Sequence, residues 1–260
     1  MVVLALDGAI PFELGIPGRI FGAARGPEGE PLYDVITCTA DGGPVRTAAD
    51  FAIAVAHDAT ALATADTVVI PPFAGSYTET PDVLARVRPG TRVMSICTGS
   101  FVLAAAGLLD GRRATTHWGE ADLFQRLFPQ VKLDPEVLFV DDGDVLTSAG
   151  AAAGVDLCLH VVRRDHGSEV ANRAARRCVV PPWRDGGQAQ YIERPVPERH
   201  DTGTAPVRAW ALERLDRPIA LAELAAQAGM SVRTLSRRFR EEVGMSPGRW
   251  LTRQRIELAR

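Results

Sequence analysis

Short apolar runs mark out the first 180 residues. Val2 to Leu6, Tyr33 to Ala40, Ala65 to Pro71 and Thr91 to Cys97 each read as a buried strand. Turn residues bound them, as in Asp7 to Pro11. Between the strands, Phe12 to Ala24 reads as a glycine-interrupted helix and Ser100 to Leu109 as a compact apolar one. Val137 to Val140 and Val145 to Ser148 form an antiparallel pair around the Asp141 to Asp144 turn, and two helices follow, Ala151 to Arg164 and Ser168 to Val180. Continuously apolar strands alternating with helices predict an α/β domain, its mostly parallel sheet covered on both faces.

Pro181-Pro182 closes this pattern, which sets the expected first domain at 1–182. Residues 183–205 are rich in Pro, Gly and charge and read as a linker or wrapping arm. Residues 206–260 are then a small all-α domain. Within it Leu221, Leu224, Ala225 and Ala228 make one apolar helix face. Gly229 follows as the residue past the helix end, and Ser231 as the N-cap of the next helix. On that helix Val232, Leu235 and Phe239 face inward, while Arg233, Arg237 and Arg240 fall on an exposed arc. Two helices around a Gly-containing turn, the second rich in Arg, form a helix-turn-helix pattern suited to a DNA major groove. Two amphipathic helices with solvated arginines also occur in proteins that never meet DNA.

Charge separates these two readings. Residues 206–260 hold 11 arginines against 6 acidic residues, a net of +5, which leaves −8 for residues 1–205 of the total of −3. A basic segment on an acidic body is the asymmetry of a nucleic-acid-binding domain joined to something else. The longest apolar run, Phe101 to Leu109, has nine residues, too few to span a bilayer. No secretory pattern opens the chain, so no membrane partner and a cytoplasmic location are expected. The four cysteines (Cys38, Cys97, Cys158, Cys178) are scattered, neither a disulfide framework nor a zinc pattern, and no metal or cofactor is expected.

One stretch of the first domain carries candidate chemistry. In SICTGSF, Ser95 to Phe101, a strand runs into Cys97 and a helix begins at Thr98-Gly99-Ser100. The pattern is that of a nucleophile elbow, a side chain held on a strained strand-to-helix turn. A helix N-terminus there would lower the thiol pKa. Cys97 as a small buried hydrophobe is the equal alternative.

Two resemblances add to this. Met230 to Arg260, with Phe239, Gly244 and Ser246-Pro247, resembles the first helix-turn-helix of an AraC/XylS-type regulator and the start of its connecting helix. That resemblance implies Arg233 and Arg237 as base-facing, Ser236 beside them, and Arg238 and Arg240 as phosphate contacts or surface charges. The family carries two such units. Here the chain ends inside the connecting helix, at Gln254 to Arg260 without a stop signal, so a fragment is expected. From Val2 to about Val180, with ICTGSFVLAAAGLLDGRRATTHW at its centre, the chain resembles the flavodoxin-like ThiJ/PfpI domain of the class I glutamine amidotransferase-like superfamily. Its elbow cysteine faces an acid after the first strand, here Glu13. Peptidase-like members follow the cysteine with histidine, but Thr98 stands here, and His117 is either a wall of the site or a helix cap. His57, His160, His166 and His200 show no pairing pattern and are assigned nothing.

A ThiJ/PfpI-like domain ahead of an AraC-type reader resembles the GlxA-like transcriptional regulators, which implies double-stranded DNA as partner. It also implies a homodimer through the N-terminal domain and a possible small-molecule effector, with catalysis not expected. The run on to RRCVVPP resembles members that control development and secondary metabolism in filamentous bacteria. Cysteine followed by threonine also resembles the isonitrile hydratases, so the rival reading is a hydratase using Cys97 and Glu13. In a third reading the domain is only a dimer platform.

Overall fold

In the computed structural model of the chain, residues 1–75, 82–190 and 203–258 are described. They form two compact units, Met1–Gln190 and Tyr191–Arg260.

The first unit is built on strands β1 (Val2–Leu4), β2 (Ile36–Cys38), β5 (Thr67–Ile70), β6 (Arg92–Ile96), β9 (Phe139–Asp142) and β10 (Val145–Ser148). Two small pairs lie outside this sheet and were not expected: β3 (Val45–Arg46) with β4 (Ala52–Ile53), and β7 (Arg113–Ala114) with β8 (Lys132–Leu133). The six-stranded order is β2-β1-β5-β6-β10-β9, parallel throughout except for β9 against β10. The expected antiparallel pair is that exception, with Val145 opposite Asp142 across the turn.

Alternate residues of each strand serve different cores. Val2, Leu4, Val68, Ile70, Val93 and Val145 pack with Leu62, Phe101, Val102 and Phe124. Val3, Val69, Met94, Ile96 and Leu146 pack with Ile16, Ile20, Phe21, Leu157 and Val161. Helices α1 (Pro11–Phe21) and α4 (Ala152–Cys178) therefore cover one face, and α2 (Gly99–Ala105) and α3 (Ala121–Leu127) the other. Burial on both faces is why the strands read as unbroken apolar runs. The two expected helices after Ser148 are one element broken at Gly167, whose φ of 86° lies outside the helical range.

The first unit runs on past Pro182 to Gln190, because the opening of the expected linker packs against it. Ala189 bridges Val137, and the Gly186 carbonyl accepts from the amides of Leu138 and Phe139. Arg184 pairs with buried Asp156 through two bonds, one from Nε at 3.0 Å. Residues 191–202 of that stretch, with His200, lie outside the described residues, as do Ala259 and Arg260, and its last residue, Ala205, already belongs to a helix.

Among the described residues the second unit has four helices: α5 (Ala205–Leu212), α6 (Leu221–Gln227), α7 (Val232–Val243) and α8 (Pro247–Leu258). Leu224, Ala225, Leu235, Phe239, Trp250 and Leu251 form its core with Val207, Ala211 and Ile219. Phe239 meets Trp250 edge-on at 5.4 Å between ring centres. Among the described residues no helix is long and apolar enough to cross a membrane.

Candidate functional site

The elbow expected at Cys97 is present. Strand β6 ends at Ile96, Cys97 takes a left-handed φ of 55°, and α2 begins at Gly99. A cysteine is strained in that conformation, so its surroundings must hold it there. The Cys97 amide donates to the Ser148 carbonyl at 2.9 Å. The Cys97 carbonyl accepts from the Ser100 amide at 3.3 Å, the Ser100 hydroxyl at 3.0 Å and the Thr116 hydroxyl at 3.4 Å. Glycine is required beside it at two places. A Cβ on Gly99 would lie 2.1 Å from the Ile70 carbonyl oxygen, and one on Gly150 2.7 Å from the Cys97 sulfur.

Burial dominates the electrostatics of the elbow. Burial pushes the Cys97 thiol up to about 11, and the charges of Glu13 and Glu120 act in the same direction. The Thr98 amide and hydroxyl pull the other way and lose. The physical reason is that the turn between the end of β6 and the start of α2 is buried, and desolvation there disfavours the charged thiolate. Glu13, in the first turn of α1, is buried near enough to the sulfur for its charge to be felt there. Pro17 sits one turn further along and has no N–H to give to the Glu13 carbonyl. His117 lies elsewhere in role: its Nδ1 accepts from the Gly119 amide at 3.1 Å and caps the 3-10 turn Trp118–Glu120.

Sequence reasoning missed Gln190. The residue is 9% exposed, and its side chain donates to the carbonyls of Thr116 at 3.0 Å, Pro135 at 2.8 Å and Val137 at 3.0 Å, and accepts from the Trp118 amide at 3.1 Å. Thr116 in turn bonds the Ser100 hydroxyl and the Cys97 carbonyl. A lone Gln in a polar stretch carries no sequence signal of such a place. Of the histidines assigned nothing, His160 bonds Asp141 at 2.7 Å and His166 lies edge-on to Tyr33. Among the described residues no cluster of His, Cys, Asp or Glu could hold a metal ion.

In the second unit the helix-turn-helix geometry matches the sequence pattern. Gly229, at φ 63°, follows α6, and the Met230 amide closes back onto the Ala225 carbonyl. The Ser231 hydroxyl accepts from the Thr234 amide at 3.1 Å and caps α7. Gly244, at φ 74°, ends that helix. Leu235 and Phe239 are fully buried. Val232 and Leu221, expected inward, are exposed, because both sit in the first turn of their helices, before the helix axis carries its apolar stripe over the core. Arg233, Arg237 and Arg240 are exposed, Ser236 and Arg238 half-buried. Arg237 Nη1 donates to Glu241 at 3.1 Å. Glu242 turns away from that face. Its carboxylate accepts from the Thr204 amide at 2.8 Å and from the Thr204 hydroxyl, and so fixes the start of α5 to α7.

The DJ-1/PfpI family matches residues 1–164. The chain belongs to the DJ-1/PfpI family. A helix-turn-helix domain matches residues 224–260, so both expected halves are borne out, including the AraC-type character of the second. The chain is 34% identical over 181 residues to the HTH-type transcriptional regulator GbdR of Pseudomonas aeruginosa, across 68% of this chain and 48% of GbdR. It is 32% identical over 238 residues to the HTH-type transcriptional regulator CdhR of the same species, across 88% of this chain and 70% of CdhR. The chain thus spans about half the length of GbdR. Isonitrile hydratase of Pseudomonas putida is 44% identical over 79 residues, which is 30% of this chain and 33% of that enzyme. Among solved structures, an AraC family transcriptional regulator from Pseudomonas putida superimposes with a TM-score of 0.58 at 20% identity, over 67% of this chain and 96% of that one. That likeness carries the fold of the α/β unit.

Proposed function

We propose that the chain is a sequence-specific, DNA-binding transcriptional regulator acting in the cytoplasm. Helix α7 reads the major groove with Arg233, Arg237 and Ser236, while Arg238 and Arg240 contribute charge toward the phosphates. The observation that carries this reading is the capped, arginine-lined helix α7 behind a tight Gly229 turn, in a segment of net charge +5 on an acidic body. The printed names of GbdR and CdhR agree with it.

The α/β unit serves in this proposal as a dimer platform and effector sensor. One helix-turn-helix reads few base pairs, and joining two on one operator raises their effective concentration. Cys97 with a raised pKa beside Glu13, and His117 engaged in a cap, suit a recognition wall better than a nucleophile with a base.

Selection of bound duplexes from a random DNA pool tests the reading. The chain is expected to enrich a shared motif that Arg233→Ala/Arg237→Ala loses. No enrichment, from this chain or from one extended past Arg260, would overturn it, and isonitrile hydration would then be the activity to assay. Sedimentation at micromolar concentration is expected to find a dimer, and a monomer would remove the platform.

A further inference from the structure

Helix α7 carries one acid where a DNA-reading face should have none. At about 100° per residue, Arg233, Arg237 and Glu241 follow one another along a single stripe, each about 40° from the last. A carboxylate on a stripe that meets DNA is repelled by phosphate and lowers affinity. Glu242, its neighbour, has a structural task at Thr204. Glu241 has none in the core and bonds Arg237 instead.

The geometry of that pair is informative. The Glu241 side chain is 27% exposed and that of Arg237 59%, so the carboxylate is set back and the guanidinium projects. Among the described residues the bond engages Nη1 alone. The Nε–Nη2 edge of the fork is left with two parallel donors, the pattern that guanine O6 and N7 accept in the major groove. Arg233 and Arg240, by contrast, make no ion pair among the described residues.

We infer that Glu241 is a specificity-determining residue that converts Arg237 from a phosphate binder into a guanine reader. It holds the plane of the guanidinium before DNA arrives, which reduces the ordering cost of a bidentate contact. Its charge also offsets the attraction of Arg237 to any passing phosphate, which depresses binding to non-target DNA. The inference rests on the DNA-reading function proposed above.

The test uses the chain with Glu241→Gln, Arg237→Ala and the double variant. Each is measured on the selected duplex, on duplexes with each guanine of the motif replaced by adenine, and on a random duplex, at two salt concentrations. With Glu241→Gln, guanine preference at one position is expected to fall about 10-fold. Affinity for the random duplex is expected to rise about 3-fold, with a steeper dependence on salt. In the Arg237→Ala background the same change at Glu241 leaves base preference unaltered. Unchanged base preference in Glu241→Gln overturns the inference and leaves the DNA reading standing. A loss of preference that persists without Arg237 also overturns it. If neither the unaltered chain nor one extended past Arg260 selects a motif, the DNA reading falls and this inference with it.

Discussion

Gly150 leaves no room for a side chain beside Cys97: a Cβ there would lie 2.4 Å from the cysteine Cβ and 2.7 Å from its sulfur. Two left-handed turns thus face each other, the elbow at φ 55° and Gly150 at φ 96°, with Ala151 beyond it at φ 45°. Strain held on one side is constrained by backbone on the other. Gly150→Ala should therefore cost about 2–5 kcal/mol, combining conformational strain with overpacking. Chemical denaturation measures this. A loss below about 0.5 kcal/mol, the range of an ordinary surface change, would mean that the elbow yields without strain.

The Cys97 thiol predicts a pH dependence. With its pKa pushed up to about 11 by burial, the neutral form holds throughout the physiological range. Iodoacetamide labelling, which needs the thiolate, should rise about tenfold per pH unit from 7 to 10 and level off near 11. A rate already at its plateau at pH 7 would instead mean an activated thiolate and would revive a covalent role. Cys38 and Cys158, fully buried, should label more slowly still.

Arg184 and Asp156 predict the stability of the arm that follows α4. Asp156 is buried, and that burial raises its pKa, although the Arg184 guanidinium opposes the rise. Removing Arg184 leaves a buried carboxylate without its cation, at a cost of about 3 kcal/mol near pH 7. An acid whose folded pKa is raised contributes stability that is present below the unfolded value of 3.8 and lost as pH rises through the folded one. The penalty in Arg184→Ala should accordingly shrink as pH falls toward 4, when Asp156 takes up its proton. Urea unfolding of both forms between pH 4 and 8 checks this. A penalty that is constant with pH would show that it comes from lost packing of the arginine stem.

The arm also marks the limit of what the residues alone disclose. The sheet and its helices were legible because every central strand is apolar on both sides, and the helix-turn-helix because Gly229, Ser231 and Phe239 each have a local reason for their place. The elbow was legible as a turn, since Cys97 and Gly99 stand at a strand-to-helix junction. Its pKa was not, because desolvation depends on what packs around the turn, and Gly150 and Ser148, which lie against Cys97, stand some 50 residues further on in sequence. Gln190 was invisible for the same reason: its partners lie on the loops around Thr116 and Pro135, and polarity in sequence says nothing about burial. Val232 and Leu221 show a smaller effect, since periodicity assigns a face but not the turn at which a helix meets the core.

Glu242 joins α5 to α7, and its loss should be felt as stability and not as specificity. Its carboxylate accepts from the amide and hydroxyl of Thr204, a fully buried residue, and lies 3.9 Å from Arg208, whose Nε is buried without a partner among the described residues. Glu242→Ala leaves the Thr204 amide and hydroxyl without their acceptor and removes the carboxylate beside Arg208, for a loss of about 2 kcal/mol. Glu242→Gln keeps one acceptor for the Thr204 amide and should lose about half as much. Hydrogen exchange resolved by residue separates the units. Protection should fall in α5 and α7 and stay unchanged in the strands of the first unit. The motif selected from random DNA should be that of the unaltered chain, at reduced occupancy. An altered motif would place Glu242 among the residues that read bases, against its orientation toward Thr204.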